Sequence, residues 1–477
     1  MAKKDEKGIT VAKEKNLIEW YNQVVTKAEL ADFAPIHGFM VIRPNGYAIW
    51  EKIQQYFDNR IKKLGVRNAY FPLLIPERFF VKEAEHAEGF EPEVAWLERQ
   101  NKKEEKLAIR PTSETIIYDI YSKWIRSWRD LPLLINQWCN VVRWEIKQTR
   151  LFLRTREFLW QEGHCAFATA EEAKENVLKM LEEYAKLCEE LLAIPVIKGK
   201  KSEFERFAGA VETYTIEALM PDGKALQMGT SHFLGQNFSK AFEIKFVGKD
   251  EKEHYVWQSC WGATTRLIGA VILVHGDNKG LVLPPKIAER KAVIVPIIFE
   301  KDKEKVIEKC KEIEKKLKRF NAFADLREEY TAGWKFNEWE LKGIPIRVEI
   351  GPKEVKEKTA VVVIRDTNEK KTVKEKDIVR IVEEELNKMQ KRLFEKAKKF
   401  LEENVVEAKS WAEFKKAIKE RKMVLAPFCN TEQCEEKIQE ETKATSRCIP
   451  LNQKEGKYKC IKCGREARIK AYFARGY

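Results

Sequence analysis

The stretch Asn140 to Phe167, NVVRWEIKQTRLFLRTREFLWQEGHCAF, restricts this chain more than any other. Val141 to Ile146 alternates in character. It predicts a strand with Arg143 and Glu145 on one face and Val142, Trp144 and Ile146 on the other. Gln148-Thr149-Arg150 is a polar break, and a second run then puts Arg154, Arg156, Phe158, Trp160, Glu162 and His164 on one face. Two antiparallel strands joined by a basic loop satisfy both runs. Such a hairpin holds arginines, an aromatic platform and a carboxylate over one site, which suits a nucleoside triphosphate beside a small amino compound. The plainer alternative is a surface hairpin with solvated charges. Arginines clustered with Trp and Phe on one face count against it.

The 477 residues allow two to four domains. An apolar fraction of 44% supports a proper core, and a formal net charge of +14 favours an anionic partner, most simply nucleic acid. No apolar run is long enough to span a membrane, and the N-terminus MAKKDEKGITVAKEKN has no apolar signal core, so a cytoplasmic location is expected. Ten cysteines in so long a chain do not make a disulfide scaffold.

Helical spacing covers 12–30 and 47–64, with Gly65 as the stop, and 69–76 is an extended run with two prolines. The latter pair fits either core or a dimer interface, because an edge strand tolerates proline. Leu107 to Thr115 runs from strand through turn to helix, with Thr112 or Ser113 as cap. A helix over 171–192 follows, then strands over 209–219 and 224–233 around Pro221-Asp222-Gly223, a strand over 254–260, and a buried helix over 267–274. Pro284-Pro285 marks a boundary. Beyond it, strands at 292–298, 322–326, 344–350 and 360–364 with helices at 302–319 and from 375 to about Asn404 read as a compact α/β domain with a connector. The chain thus divides into 1–284, 285–404 and a cysteine-bearing 405–477, whose aromatic end (Ala471 to Tyr477) is expected to dock on the body.

Three segments taken together carry a resemblance: the helix with the proline-bearing strand ending at Pro72, Arg143-x-Glu145 with its loop and Phe158, and Gly262-Ala-Thr-Thr-Arg266-Leu-Ile-Gly269. In this order they resemble motifs 1, 2 and 3 of the class II aminoacyl-tRNA synthetases. RPTSET at 110–115, FLRTREFLWQEGH at 152–164, ERFAGAVET at 205–213, QMGTSH at 227–232 and HGDNKGLVLPP at 275–285 bring the chain closest to the prolyl-tRNA synthetase family. The short separation of motifs 2 and 3 matches the archaeal and eukaryotic type, without the editing insertion usual in the bacterial type. The resemblance implies an α+β fold: a class II antiparallel sheet with flanking helices, then an α/β anticodon-binding domain and a small zinc-binding C-terminal domain. It implies a homodimer that uses ATP and Mg2+ to join L-proline to tRNA(Pro). Alternatives are a synthetase for threonine, glycine or histidine, and a non-catalytic paralogue that binds RNA.

The residues fit that chemistry independently. An amino acid's carboxylate attacks the α-phosphorus of ATP without a side-chain nucleophile, so catalysis rests on positioned cations and alignment. By resemblance, Arg143 would hold the α-phosphate and the substrate carboxylate, and Arg154 would contact the nucleotide. Phe158 and Arg266 would sandwich the adenine, and Gln227, Thr230 and Thr264 would hydrogen-bond ATP. Thr112 and Glu114 would bind the amino acid, in a pocket lined by Trp160, Glu162, His164 and His232. Glu114 or Glu162 could accept from the secondary amine of proline, with Trp160 and Phe207 covering its ring. Singly, each has a plain reading: core histidines at 164 and 232, core aromatics at 158 and 160, a helix cap at Thr112.

Gly333 to Arg347 mixes aromatics, a carboxylate and cations, which unpaired bases require. By resemblance this is the anticodon reader, with Glu340 and Arg347 as candidates for the proline anticodon's guanines; generic packing is the alternative. Cys429-x4-Cys434 and Cys460-x2-Cys463 suit a closed tetrahedral structural Zn2+, with Cys448 as a possible competitor. Cys139, Cys165, Cys188, Cys260 and Cys310 read as packing residues.

Overall fold

The computed structural model describes residues 8–84, 93–99, 101 and 103–477. The first seven residues, part of the N-terminal stretch read for a signal core, lie outside it. Among the described residues no helix is long and apolar enough to cross a membrane.

An eleven-stranded sheet organises the chain. Its antiparallel centre runs Ile197–Lys200, Glu212–Leu219, Lys224–Gly235, Trp257–Thr264, Glu157–Phe167, Leu133–Val142. Arg67–Asn68 adds a short parallel strand at one edge. The two strands of the arginine hairpin do pair antiparallel. The first, however, lies earlier than its alternation indicated: it ends at Val142, and Arg143, Trp144 and Glu145 start the connecting loop. The buried run Val141-Val142 belongs to the strand, whereas Trp144 and Glu145 are exposed. Arg154 and Arg156 likewise precede Glu157–Phe167.

One face of the sheet packs on Ala170–Lys186, Pro44–Lys63 and Arg266–His275 around Trp20, Trp50, Phe57, Tyr184 and Trp261. Thr169 closes a capping box with Glu172, an arrangement worth about 1 kcal/mol. A Cβ at Gly163 would fall 2.1 Å from the Trp261 ring, so only glycine lets these strands lie this close. Gly65, at φ +86°, ends the helix Pro44–Lys63 as its sequence position predicts.

Other expectations needed correction. The strand expected over 254–260 is two strands, Glu253–Tyr255 in a small separate hairpin and Trp257–Thr264 in the main sheet. Neither Thr112 nor Ser113 caps Glu114–Trp124; both hydroxyls turn to carboxylates instead.

The second unit is a five-stranded sheet, ordered Phe323–Ala324, Ala292–Pro296, Ile346–Ile350, Thr359–Ile364, Lys370–Lys374. Helices Lys303–Lys316 and Ile378–Asn404 bury Val306, Cys310, Ile313, Val382 and Leu386 against it. The helix Ala332–Leu341 was not anticipated, although Thr331 accepts from the Trp334 N–H as its cap (3.3 Å). Ala332, Phe336 and Trp339, at i, i+4 and i+7, form its packed face against Val293, Val295 and Ile344.

The last segment extends the large sheet. Val405–Glu407, Met423–Phe428, Ile469–Gly476 and Thr445–Pro450 continue into Ile197–Lys200. Ile469–Gly476 also pairs in parallel with the start of Lys224–Gly235, which closes a ring of strands. The aromatic end docks, with Tyr477 donating to Asp222 (3.0 Å) and Lys224 4.8 Å above its ring.

Candidate active site and the family it defines

Residues directly opposed in an antiparallel sheet share a face. Register therefore aligns Gln137, Glu162, Gly262, Thr230 and Thr215 in one rung. The next rung holds Ile135, His164, Cys260, His232 and Thr213. Trp160 and Thr264 pair in a third, and Gln227 opposes Glu217. This polar face floors a cavity of about 470 Å³. Its walls bring together every residue expected at the ATP and amino-acid sites: Thr112, Glu114, Arg143, Arg154, Phe158, Trp160, Glu162, His164, Phe207, Gln227, Thr230, His232, Thr264 and Arg266. A larger cavity of about 700 Å³ lies between residues 13–18, the 219–224 turn and the connector helix, and holds none of them.

Among the described residues the arginines bond to main-chain oxygens and to no carboxylate directly, although Glu145, Glu114 and Glu162 act on Arg143 and Glu217 on Arg266 from further off. Arg266 donates to Leu153 O (3.1 Å) and Gln227 O (3.4 Å), and Arg143 to Pro111 O (3.4 Å). The Arg143 guanidinium lies 5.4 Å from the Phe158 ring centre and 5.8 Å from that of Trp160. Burial, then repulsion from Arg143, brings the Arg266 pKa down to about 10, so it stays charged near neutrality. Burial likewise lowers Arg143. Arg154, on the loop, is exposed. Two fixed cations on one cavity are equipped to hold a nucleotide, one at its phosphates and one against its base.

At the other end the two carboxylates differ. Glu162 is saturated: one oxygen accepts from Ser113 (2.5 Å), Gln137 (2.9 Å) and Cys139 (3.3 Å), and the other lies 2.9 Å from His164 Nε2. His164 Nδ1 meets the Tyr118 hydroxyl at 3.0 Å. Glu114 accepts from Thr112 and otherwise faces the cavity. His232 lies between Thr213 (3.0 Å) and Thr230 (3.1 Å), with its ring 4.7 Å from Phe207. Burial first, then the charges of His164 and Lys201, push the His232 pKa down to about 3, so it is neutral. Glu114, His164 and Cys260 lie within metal-bridging range, but both nitrogens of His164 are engaged by Glu162 and Tyr118.

Sequence reasoning took Cys139 and Cys260 for packing residues. Cys139 accepts from Trp160 Nε1 (3.2 Å), and Cys260 lines the cavity. Lys201 and Thr213, also on the walls, were not singled out. Alternation of Gln258, Cys260, Gly262 and Thr264 along one strand was the available signal for Cys260.

In the second unit, Arg347 is buried and committed to Glu349 (2.9 and 3.1 Å), with Glu340 at 3.3 Å and Phe336 beneath it. In the last segment, the ligand atoms of Cys429, Cys434, Cys460 and Cys463 all lie within 4.8 Å of one another. Cys448 is not a competitor: it packs against Gly199 on a different strand.

Fold and cavity together define a class II aminoacyl-tRNA synthetase. Residues 96–275 match the tRNA synthetase class II core domain (G, H, P, S and T), and residues 291–385 match the anticodon binding domain. Residues 411–477 match the prolyl-tRNA synthetase C-terminal domain. A proline–tRNA ligase of Natranaerobius thermophilus is 52% identical over 96% of both chains, and one of Cenarchaeum symbiosum is 50% identical over 98% of this chain and 99% of its own. The crystal structure of prolyl-tRNA synthetase from Cryptosporidium parvum, complexed with halofuginone and AMPPNP, superposes with a TM-score of 0.94. It is 44% identical, over 99% of this chain and all of that one. The chain belongs to the proline–tRNA ligase family.

The Glu162–His164 pair makes a pH prediction. Burial opposes both charges, but each partner more than compensates: His164 is raised and Glu162 lowered. The His164 contribution to stability is complete below about pH 6.5 and is lost as pH rises through its folded pKa. The Glu162 contribution is present above about pH 4.3 and is lost as pH falls through its folded value. In Glu162→Gln, burial acts on His164 almost alone, so its titration moves below about 6.5. Imidazole NMR reads this directly, and an unchanged titration rules the pair out.

Proposed function

We propose that this chain activates L-proline with ATP to prolyl-adenylate and pyrophosphate, then transfers the prolyl group to the 3′ end of tRNA(Pro), both steps in the 470 Å³ cavity. The observation carrying this is the placement of Arg143, Phe158 and Arg266 around one space with Glu114 and His232 at its far end. In this reading Arg143 draws the α-phosphate and the proline carboxylate together. Phe158 and Arg266 enclose the adenine, Arg154 reaches the phosphates from the loop, and Gln227, Thr230 and Thr264 receive the nucleotide's polar edges. The nucleophile is anionic already, so positioned charge is the main catalytic resource. ATP enters with Mg2+, as is general for the class, and the ion neutralises phosphate charge.

Of the two carboxylates, Glu114 is the better acceptor for the proline ammonium, because Glu162 has its oxygens filled. Glu162 and His164 then line and brace the pocket, and neutral His232 with Phe207 and Trp160 shapes the space for the ring. A wall that selects by size gains about 1–3 kcal/mol per methylene. Alanine and cysteine are therefore expected to enter, and their correction belongs elsewhere. Arg143 and Arg266 both facing the cavity weigh against a paralogue that only binds RNA.

Glu340 and Arg347 are assigned to the anticodon's guanines, with the Glu349 pairing orienting Arg347. A structural Zn2+ on Cys429, Cys434, Cys460 and Cys463 fits the thiol cluster. When bound, it would supply a crosslink and no chemistry. We place the enzyme in the cytoplasm as a homodimer. Exposed Tyr70 beside the edge strand Arg67–Asn68, with exposed Phe33, Ile36 and Trp124, supports the pairing of two copies.

Proline-dependent exchange of labelled pyrophosphate into ATP tests the reading. Arg143→Ala should lower it on the order of 10²–10³-fold, the usual loss of a charge-stabilising donor; normal exchange in that variant would sink the α-phosphate assignment. Metal analysis should find one zinc per chain, and Cys460→Ser should lose it and lower the melting temperature. Sedimentation should give a mass of two 55.9 kDa chains.

A further inference from the structure

A buried ionic chain joins the last segment to the cavity. Glu217 is fully buried and opposes Gln227 across the sheet. One of its oxygens accepts from Lys201 Nζ (3.0 Å) and Thr215 Oγ1 (3.0 Å). The other accepts from Arg447 through Nε (3.2 Å) and Nη2 (2.9 Å). Arg447 sits on Thr445–Pro450, over two hundred residues further along the chain, and is held in turn by Thr445 Oγ1 (3.1 Å). Lys201 follows the strand Ile197–Lys200, which pairs with Thr445–Pro450. Its side chain is 3% exposed, and the residue lines the cavity with Glu205, Phe207 and Thr213. A second contact clamps the same place: Ser446 Oγ donates to Glu435, 3.0 Å from Ser202 Oγ.

A carboxylate with no water needs its cations, and removing one of two leaves a costly remainder. Glu205, on the same wall and close enough to act on Arg447, offsets the charge that two cations on one carboxylate would otherwise leave. Lys201 has three protons, and among the described residues its ammonium meets only Glu217 as a hydrogen-bond partner. The rest of its donor capacity has no protein acceptor among the described residues, and Lys201 lines the cavity. Glu217 stands in the same rung as Gln227, whose carbonyl accepts from Arg266. The chain of contacts therefore runs from Arg447 through Glu217 to both Lys201 and the strand that seats Arg266.

We propose that Arg447 is a positioning residue of the activation site: through Glu217 it fixes Lys201 at the cavity wall, where the ammonium meets an oxygen of the bound nucleotide. The last segment thereby completes the catalytic pocket in addition to bearing the cysteine cluster. This rests on the assignment of Gln227 and Arg266 to ATP.

The test uses the full chain, with active sites counted by the burst of adenylate formation. Pyrophosphate exchange is then measured against ATP and proline separately. Arg447→Met should lower kcat/KM for ATP on the order of tenfold to a hundredfold per active site, as misplacement of a catalytic neighbour does. KM for proline should change less than threefold. Arg447→Lys should recover most of the loss. Lys201→Met, which keeps the Glu217–Arg447 pair, should show the same ATP-specific loss even if Arg447→Met folds poorly. The two changes combined should lose no more than the larger single effect, because they act as one unit. Normal ATP kinetics per active site in Lys201→Met, or equal losses for both substrates, would overturn the proposal. Absence of exchange in the unaltered chain would overturn the functional reading instead.

Discussion

Glu162 is a negative charge almost wholly withdrawn from solvent at the cavity wall, and three segments of the catalytic half are arranged to satisfy it. Its donors come from three places: Ser113 at the head of Glu114–Trp124, Gln137 and Cys139 on the neighbouring strand, and His164 two residues along its own. An uncompensated buried carboxylate would take up a proton or unfold its surroundings. The pairing therefore fixes the relation between the helix carrying Glu114 and the sheet carrying Trp160 and His232. The gap left between them has a set width, which a pocket selecting a small ring by size requires.

The nucleotide end is organised differently. Arg143 and Arg266 bond mainly to carbonyls, which orient a guanidinium without cancelling its charge. Phe158 and Trp160 lie within cation–π range of Arg143. One end of the cavity thus holds cations oriented by carbonyls and, among the described residues, without a directly bonded carboxylate. The other is a saturated carboxylate, a free one and a neutral histidine. The asymmetry matches a reaction in which an anion must be brought against a polyanion while its ammonium is kept away.

Much of this was legible from the residues. Alternation along Phe158, Trp160, Glu162 and His164 gave their common face, because a strand's period of two leaves no other reading once one face is polar. The start of the hairpin's loop was misplaced because Arg143-Trp144-Glu145 prolongs the alternation beyond the last strand bond. Glu162 looked like a ligand for substrate, since a sequence shows the carboxylate and not the donors that three separate segments bring to it. The helix Ala332–Leu341 was missed although Ala332, Phe336 and Trp339 pack at helical spacing against Ile344, Val293 and Val295, because its mix of aromatics and charges reads equally as a base-binding surface. Lys201, Glu217 and Arg447 are unremarkable as text; only a register linking residues far apart in the chain reveals that they meet.

The ring of strands that Ile469–Gly476 closes has a consequence for how the molecule comes into being. Arg475 and Gly476 lie against Lys224 and Ala225, so this pairing joins segments about 250 residues apart in the chain. Contacts this distant are slow to form and leave an open edge meanwhile. A nascent chain can assemble its first helices and the arginine hairpin early, yet the edge at Lys224 and Ala225 stays open until Ile469–Gly476 has been made.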